Sequence, residues 1–154
     1  MQAREIFDSY LTRNRMRRTS ERYAVMEAAL LRPGLFCADD LHKALSGSSM
    51  RVSVATVYNT LDLLCKCSLV MRHKLNGHDQ LLYERILPAQ TADTRLLLIC
   101  RLCGKVKRLP APRLGDIASP ARTGTFSADS FCGYIYGYCR SCQRLLKQDN
   151  YYNK

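Results

Sequence analysis

The sequence predicts an α+β protein in which a helix-rich first domain is followed by a smaller α/β domain. Residues 1–87 contain four segments with helical apolar spacing and then two strand-like runs around a turn. Residues 95–154 contain strand-like runs, two Cys-x-x-Cys pairs and a final helical segment. Residues 88–94, between these regions, are polar, and we therefore place a hinge or linker there.

The first domain is predicted to be a helix-turn-helix with a wing. Thr19 and Ser53 are residue types that cap helices, and Pro33-Gly34 ends the second helix. Asn76-Gly77 is typical of a hairpin turn. In chain order the elements are an opening helix, a basic loop at residues 13–18, helices that begin at Thr19, Ala38 and Ser53, and strands at residues 69–75 and 80–85.

The second domain is predicted to contain three strands and a closing helix. The strands are expected at residues 95–100, 105–109 and 131–138, and the helix at residues 140–147. Residues 110–128 include three prolines and two glycines, so any helix in that segment is expected to be short.

Composition and charge exclude two classes of protein. The chain has 154 residues and 24 Lys plus Arg against 13 Asp plus Glu, a net charge of +11. No apolar run is long enough to cross a bilayer, and the amino end has no apolar leader. We therefore expect neither a membrane protein nor a secreted disulfide scaffold, but a basic cytoplasmic protein whose cysteines stay reduced.

Four of the five cysteines of the second domain predict a zinc site. Cys100, Cys103, Cys139 and Cys142 form two Cys-x-x-Cys knuckles, and this half of the chain contains no histidine. Four thiolates complete a tetrahedral zinc site, one per chain, and leave no position open for catalysis. The alternatives are four buried apolar cysteines and a redox dithiol, although a dithiol needs only one such pair.

Several motifs occur in the order of a known family. They are Arg18-Thr-Ser-Glu-Arg22, SVATVYNTL at residues 53–61, Tyr83-Glu84, ICRLCGKV at residues 99–106 and YGYC at residues 136–139. The chain thus resembles the ferric uptake regulator (Fur) family of bacterial transcription factors. The resemblance implies a winged-helix DNA-binding domain, a carboxy-terminal dimerisation domain, structural zinc and a two-fold symmetric DNA operator. It also implies a homodimeric repressor of iron, haem, metal or redox-responsive genes, which is not an enzyme.

The resemblance also implies a set of DNA-binding residues. Tyr58 is expected to contact a base, Arg22 a phosphate and Arg17 the minor groove. Ser53, Thr56, Tyr58 and Asn59 occupy the first two turns of the expected recognition helix. Many members of the family have arginine where this chain has Asn59. Because arginine favours guanine and asparagine favours adenine, we expect a different operator preference. Without the neighbouring helices, the basic loop would equally well be a solvated run of charge.

The family's sensory metal site is expected to be missing. The family binds its regulatory metal through histidines and carboxylates, but its histidine-rich run before Cys100 reads Thr94-Arg-Leu-Leu-Leu98 here, and Leu35 and Phe131 occupy two histidine positions. Only Glu84 remains, and one carboxylate cannot hold Fe(II) or Mn(II). A second effector, whether one of these ions or haem, is left open. His73 and His78 are expected on the wing, exposed or contacting phosphate.

Other thiols offer a different sensor. Cys37, at the start of the third helix, could have a lowered pKa, and oxidation of Cys65 or Cys67 could disturb the recognition helix. Simple packing is the alternative for these residues and for Cys132. Two other functions stay open: a zinc-knuckle nucleic-acid-binding protein without an effector, and a thiol-based redox sensor. A thiol enzyme is not expected, because no His-Asp partner for a nucleophile is evident.

Overall fold

The computed structural model describes residues 2–47, 51–76, 78–86, 94–109 and 131–152. The chain divides into two compact units, the first within residues 1–87 and the second containing residues 88–154 together with residues 76–78. The α+β class is confirmed. In the described part of the chain, no helix has the length and apolar character needed to cross a membrane.

Two helices open the first unit. Helix α1 (Gln2–Arg13) buries Phe7 and Leu11. Helix α2 (Ser20–Leu31) follows the predicted cap, in which the Thr19 side chain accepts a hydrogen bond from the Arg22 backbone N–H at 3.4 Å. Their apolar faces pack into the core of the unit because residues three and four positions apart lie on one side of a helix.

Two further helices complete the helix-turn-helix. Helix α3 (Ala38–Ser46) begins after Cys37, and helix α4 (Val54–Lys66) begins after Ser53, whose Oγ accepts from the Thr56 N–H at 3.1 Å. Helices α2, α3 and α4 contact one another. Their shared core includes Val25, Met26, Leu41, Val57, Leu61 and Leu64.

A three-stranded antiparallel sheet forms the wing. Strands β2 (Val70–His73) and β3 (Leu82–Arg85) are shorter than predicted, and β3 lies between β2 and a short strand, β1 (Phe36–Cys37). The sequence pattern does not predict β1. Two residues are too few to show a period of two, and this strand exists through its pairing with Tyr83 and Leu82.

The second unit contains a mixed sheet and a final helix. Strand β4 (Thr94–Cys100) is central, pairing antiparallel with β5 (Val106–Leu109) and parallel with β6 (Phe131–Gly137). Leu97 and Ile99 are buried, each 2% exposed. Helix α5 (Arg140–Tyr152) is longer than predicted. Thr94 of the predicted linker starts β4, whereas residues 88–93 and residues 110–128, where any helix was expected to be short, lie outside the described residues.

Candidate metal centre and nucleic-acid interface

The parallel pairing of β4 and β6 brings the two cysteine pairs to one edge of the sheet. Cys100, the last residue of β4, is in register with Gly137, the last residue of β6. Since parallel strands end at the same edge, Cys139 follows two residues after that point and lies beside Cys100. The Cys139 N–H donates to the Cys100 Sγ at 3.3 Å.

Each pair is shaped by local backbone hydrogen bonds. After Cys100 the chain turns back into β5, and the Gly104 N–H donates to the Cys100 carbonyl oxygen at 3.0 Å. Gly104 adopts φ +69, a left-handed conformation that glycine accepts without strain. Cys139 directly precedes α5, and Cys142 lies in its first turn, where backbone N–H groups have no partner within the helix.

The sulfur positions fit one tetrahedral metal ion. All four Sγ atoms lie within 4.8 Å of one another, and the Cys103 and Cys139 Sγ atoms are 3.7 Å apart. With Zn–S bonds of about 2.3 Å, the edge of a tetrahedron is about 3.8 Å. Cys100 and Cys142 are buried, Cys139 is half-buried and Cys103 is exposed. Among the residues that the structure describes, these four cysteines are the one group of three or more potential ligands that lie close enough to hold a metal ion.

Backbone N–H groups favour the thiolate at part of this cluster. The hydrogen bond from the Cys139 N–H lowers the pKa of Cys100 to about 6, and a bond from the Cys142 N–H lowers the pKa of Cys139. Hydrogen bonding with the Cys139 thiol raises the pKa of Cys142 to about 12 in the absence of a metal. Exposed cations flank the ligands and offset the charge of a four-thiolate zinc centre, namely Arg101, Lys105, Arg140 and Arg144.

A basic groove lies at the start of α4 in the first unit. Arg17 and Arg22, both predicted as DNA-binding residues, line a groove of about 420 Å³ together with Arg51, which the sequence analysis did not select. The groove also contains one carboxylate, Glu21, and the polar residues Ser53, Thr56 and Asn59. Arg51 could have been found from its position two residues before the Ser53 cap, where a cation lies close to any phosphate at the helix N-terminus.

The predicted recognition residues have two different roles in α4: two of them shape its N-terminus, and two expose their side chains. The Ser53 Oγ is 2.9 Å from the Thr56 Oγ1 and also caps the helix, so both residues shape its N-terminus. Tyr58 is 42% exposed, and Asn59 is exposed beside it. Val54 lies on the same face of α4 as the buried residues Val57 and Leu61, yet it is 46% exposed.

Glu84 is buried against a histidine. It is 2% exposed and His73 is fully buried, with the Glu84 Oε2 3.5 Å from the His73 Nε2. The expectation that His73 is exposed or contacts phosphate is wrong, because both ends of β2 face the core. Glu84, the one carboxylate that this chain retains from the family's sensory site, therefore lies beside the His73 side chain of its own sheet.

The three candidate regulatory thiols are held in the protonated form. The Cys37 Sγ caps α3, accepting from the Asp40 N–H at 3.4 Å, but burial raises its pKa, so the expectation of a lowered pKa there is wrong. Burial raises the pKa of Cys65 to about 11 and also raises that of Cys67. A protonated thiol is a poor nucleophile, which favours the packing interpretation.

Comparison with known proteins gives a consistent result. The model of the ferric uptake regulator family matches residues 13–125. The chain is 31% identical over 130 residues to the peroxide operon regulator of Bacillus subtilis, covering 84% of this chain and 86% of the relative. It is 27% identical over 134 residues, 86% of each chain, to the peroxide-responsive repressor PerR of Staphylococcus saprophyticus.

Solved structures share the fold. The Helicobacter pylori ferric uptake regulator Fur, described as having three functional metal binding sites, superposes with a TM-score of 0.70 at 16% identity, covering 92% of each chain. The Pseudomonas aeruginosa ferric uptake regulator with manganese gives a TM-score of 0.66 at 20% identity, covering 86% of this chain and 97% of that one.

Proposed function

The chain belongs to the ferric uptake regulator family, and from that premise we propose that it is a homodimeric repressor of a two-fold symmetric DNA operator. The observation that carries this proposal is the groove in which Arg17, Arg22 and Arg51 surround the exposed start of α4. Arginines can neutralise phosphates there, while the Tyr58 and Asn59 side chains can reach base edges in the major groove.

Zinc has a structural role in this proposal. Cys100, Cys103, Cys139 and Cys142 would hold one ion per chain, and four thiolate ligands leave no open position for catalysis. The bound ion would tie the turn after β4 to the start of α5. The thiolates that the backbone N–H groups favour at Cys100 and Cys139 suit this ligation.

A second copy of the chain would cover the open face of the second sheet. Leu98 and Ile135 are neighbours on paired strands, and Ile135 is 46% exposed. Apolar surface of this kind is stabilised by burial against another chain. In this arrangement residues 1–87 bind DNA, residues 95–154 form the dimer, and residues 88–94 are the hinge between them.

The response of this regulator differs from metal sensing at the hinge. Glu84 is engaged with His73, and the other positions of the usual metal site carry no histidine or carboxylate. The curated relatives are named for their response to peroxide. We therefore propose that the chain acts in the cytoplasm on an effector other than a hinge-bound Fe(II) or Mn(II), with haem or an oxidant as the candidates.

Selection of duplexes from a random DNA library tests the function. We expect enrichment of a palindromic sequence, with binding that weakens steeply as salt rises because phosphate contacts release counterions. Arg22→Ala should weaken binding to every duplex and reduce the salt slope by about 1, whereas Lys147→Ala, which removes one exposed cation from α5, serves as the control. Preference for single-stranded RNA, or a salt slope near zero, would refute the proposal.

A further inference from the structure

One carboxylate joins the recognition helix to the wing within the first unit. The Asp39 Oδ1, in the first turn of α3, is 3.5 Å from the Tyr58 hydroxyl, which donates to it. The Asp39 Oδ2 accepts from the Gln80 Nε2 at 2.8 Å. Gln80 lies just before β3, so both oxygens of one side chain are engaged by the two elements that flank α3.

The contact changes the state of Tyr58. Partial burial and the negative charge of Asp39 raise the pKa of the phenol, so Tyr58 stays protonated and can donate its proton to the carboxylate. Tyr58 is still 42% exposed, and its ring stands at the surface of α4. The carboxylate therefore restricts the phenol without covering the ring.

A carboxylate at this place also has an electrostatic consequence. The chain carries a net charge of +11, and most of its attraction for DNA does not depend on sequence. Asp39 is half-buried beside an exposed residue of α4, so its charge repels phosphates that approach this part of the helix. Such repulsion acts on every DNA sequence, whereas an ordered Tyr58 is useful only where its base partner is present.

We propose that Asp39 is a positioning residue that increases the preference of this protein for its operator over other DNA. It does so by holding Tyr58 and Gln80 in fixed orientations before DNA binds, and by opposing complexes held by phosphate contacts alone. Ordering the tyrosine in advance reduces the entropy that specific binding must overcome. This inference rests on the proposed function, since it requires sequence-specific DNA binding.

The test compares two neighbouring carboxylates. Asp39→Asn and Asp40→Asn remove the same charge from the same turn of α3, but the Asp40 side chain makes no hydrogen bond to Tyr58 or Gln80. The affinities of the zinc-loaded full chain are measured for the library-selected duplex and for a random duplex of equal length. Asp39→Asn should strengthen binding to the random duplex about fourfold, the effect of one unit charge about 5 Å from a phosphate in a water-like dielectric. It should not strengthen binding to the selected duplex.

A double-mutant cycle separates positioning from charge. In a Tyr58→Phe background no hydroxyl can donate to Asp39, so only the charge effect of Asp39→Asn remains, and this variant should strengthen binding to the random and the selected duplex about equally. Equal effects of Asp39→Asn and Asp40→Asn on the specificity ratio, or an unchanged ratio, would overturn the inference while leaving the proposed function intact. Wild-type protein that binds both duplexes equally would instead refute the proposed function itself.

Discussion

Helices α1 and α4 end in two turns of the same type. In each turn, the residue with a left-handed backbone conformation is not glycine. Arg15 has φ +53 after α1, and Ser68 has φ +57 after α4. The residue following each donates its N–H to the helix carbonyl five positions earlier, at 2.8 Å for Met16 to Leu11 and 2.9 Å for Leu69 to Leu64. This position usually holds glycine, because a Cβ is strained there. Replacing either residue with glycine should therefore relieve strain.

The expected magnitudes follow from three effects. A left-handed backbone conformation destabilises an L-residue by about 1–2 kcal/mol, which glycine relieves. Glycine also increases the entropy of the unfolded chain, which reduces the gain in stability by about 0.4–1 kcal/mol. Ser68→Gly should thus raise the free energy of unfolding by about 0.8 kcal/mol. Arg15→Gly also removes a cation from the C-terminus of α1, where it contributes about 0.3–1 kcal/mol, so its gain at low salt should be about 0.2 kcal/mol.

Urea unfolding of the zinc-loaded full chain, followed by far-ultraviolet circular dichroism, measures both variants. At high salt the interaction of Arg15 with the helix dipole is screened, and the gain from Arg15→Gly should approach that from Ser68→Gly. Arg15→Ala keeps the strain and loses the charge, so it should destabilise the protein at low salt. A destabilising Ser68→Gly, or an Arg15→Gly effect that does not change with salt, would refute this reasoning.

Four further outcomes are expected. Cys100→Ser should prevent zinc binding and unfold the second unit, with loss of the dimer in sedimentation, whereas Cys132→Ser should retain zinc; a folded, dimeric Cys100→Ser protein would contradict the structural role. Glu84→Gln should cost about 1–3 kcal/mol in the same urea assay because the buried His73 loses its carboxylate partner, whereas Glu27→Gln on the surface should change stability little. Asn59→Arg should shift the selected operator from adenine towards guanine at one position per half-site, and an equal loss on all operators would remove Asn59 from the base-reading residues. Since its pKa is raised to about 11, the Cys65 thiol should be alkylated near neutral pH on the order of 100-fold more slowly than an unstructured cysteine peptide. Mass spectrometry quantifies both rates, and equal rates would make Cys65 a candidate sensor again.

Local chemistry made part of this structure predictable. The caps at Thr19 and Ser53 depend on side chains and backbone groups three residues apart, so the starts of α2 and α4 could be found from the sequence. The same holds for the cysteine pairs, since a Cys-x-x-Cys turn places both sulfurs on one side of the chain. Prediction of the four-cysteine cluster required one further assumption, that the two turns lie next to each other in the fold.

Tertiary contacts decided what the sequence could not show. By helical spacing Val54 and Tyr58 lie on the same face of α4 as Val57 and Leu61, yet Val54 and Tyr58 are exposed, whereas Val57 and Leu61 are fully buried. His73 is polar by type and buried by position, because β2 packs inward at both its ends. At Cys37 the helix N-terminus and burial act on the pKa in opposite directions, and only the structure shows that burial is the larger effect.

On the proposed DNA-binding surface of the first unit, we expect affinity and selectivity to depend on different residues. The arginines of the groove can attract any duplex, and with 24 basic against 13 acidic residues that attraction is strong whatever the sequence. Selectivity must therefore come from the uncharged side chains of α4 and from charges that oppose non-specific contact. Substitutions at Arg17 or Arg22 should change the affinities for all duplexes by the same factor. Substitutions at Asn59 or Asp39 should change the affinities for different duplexes by different factors.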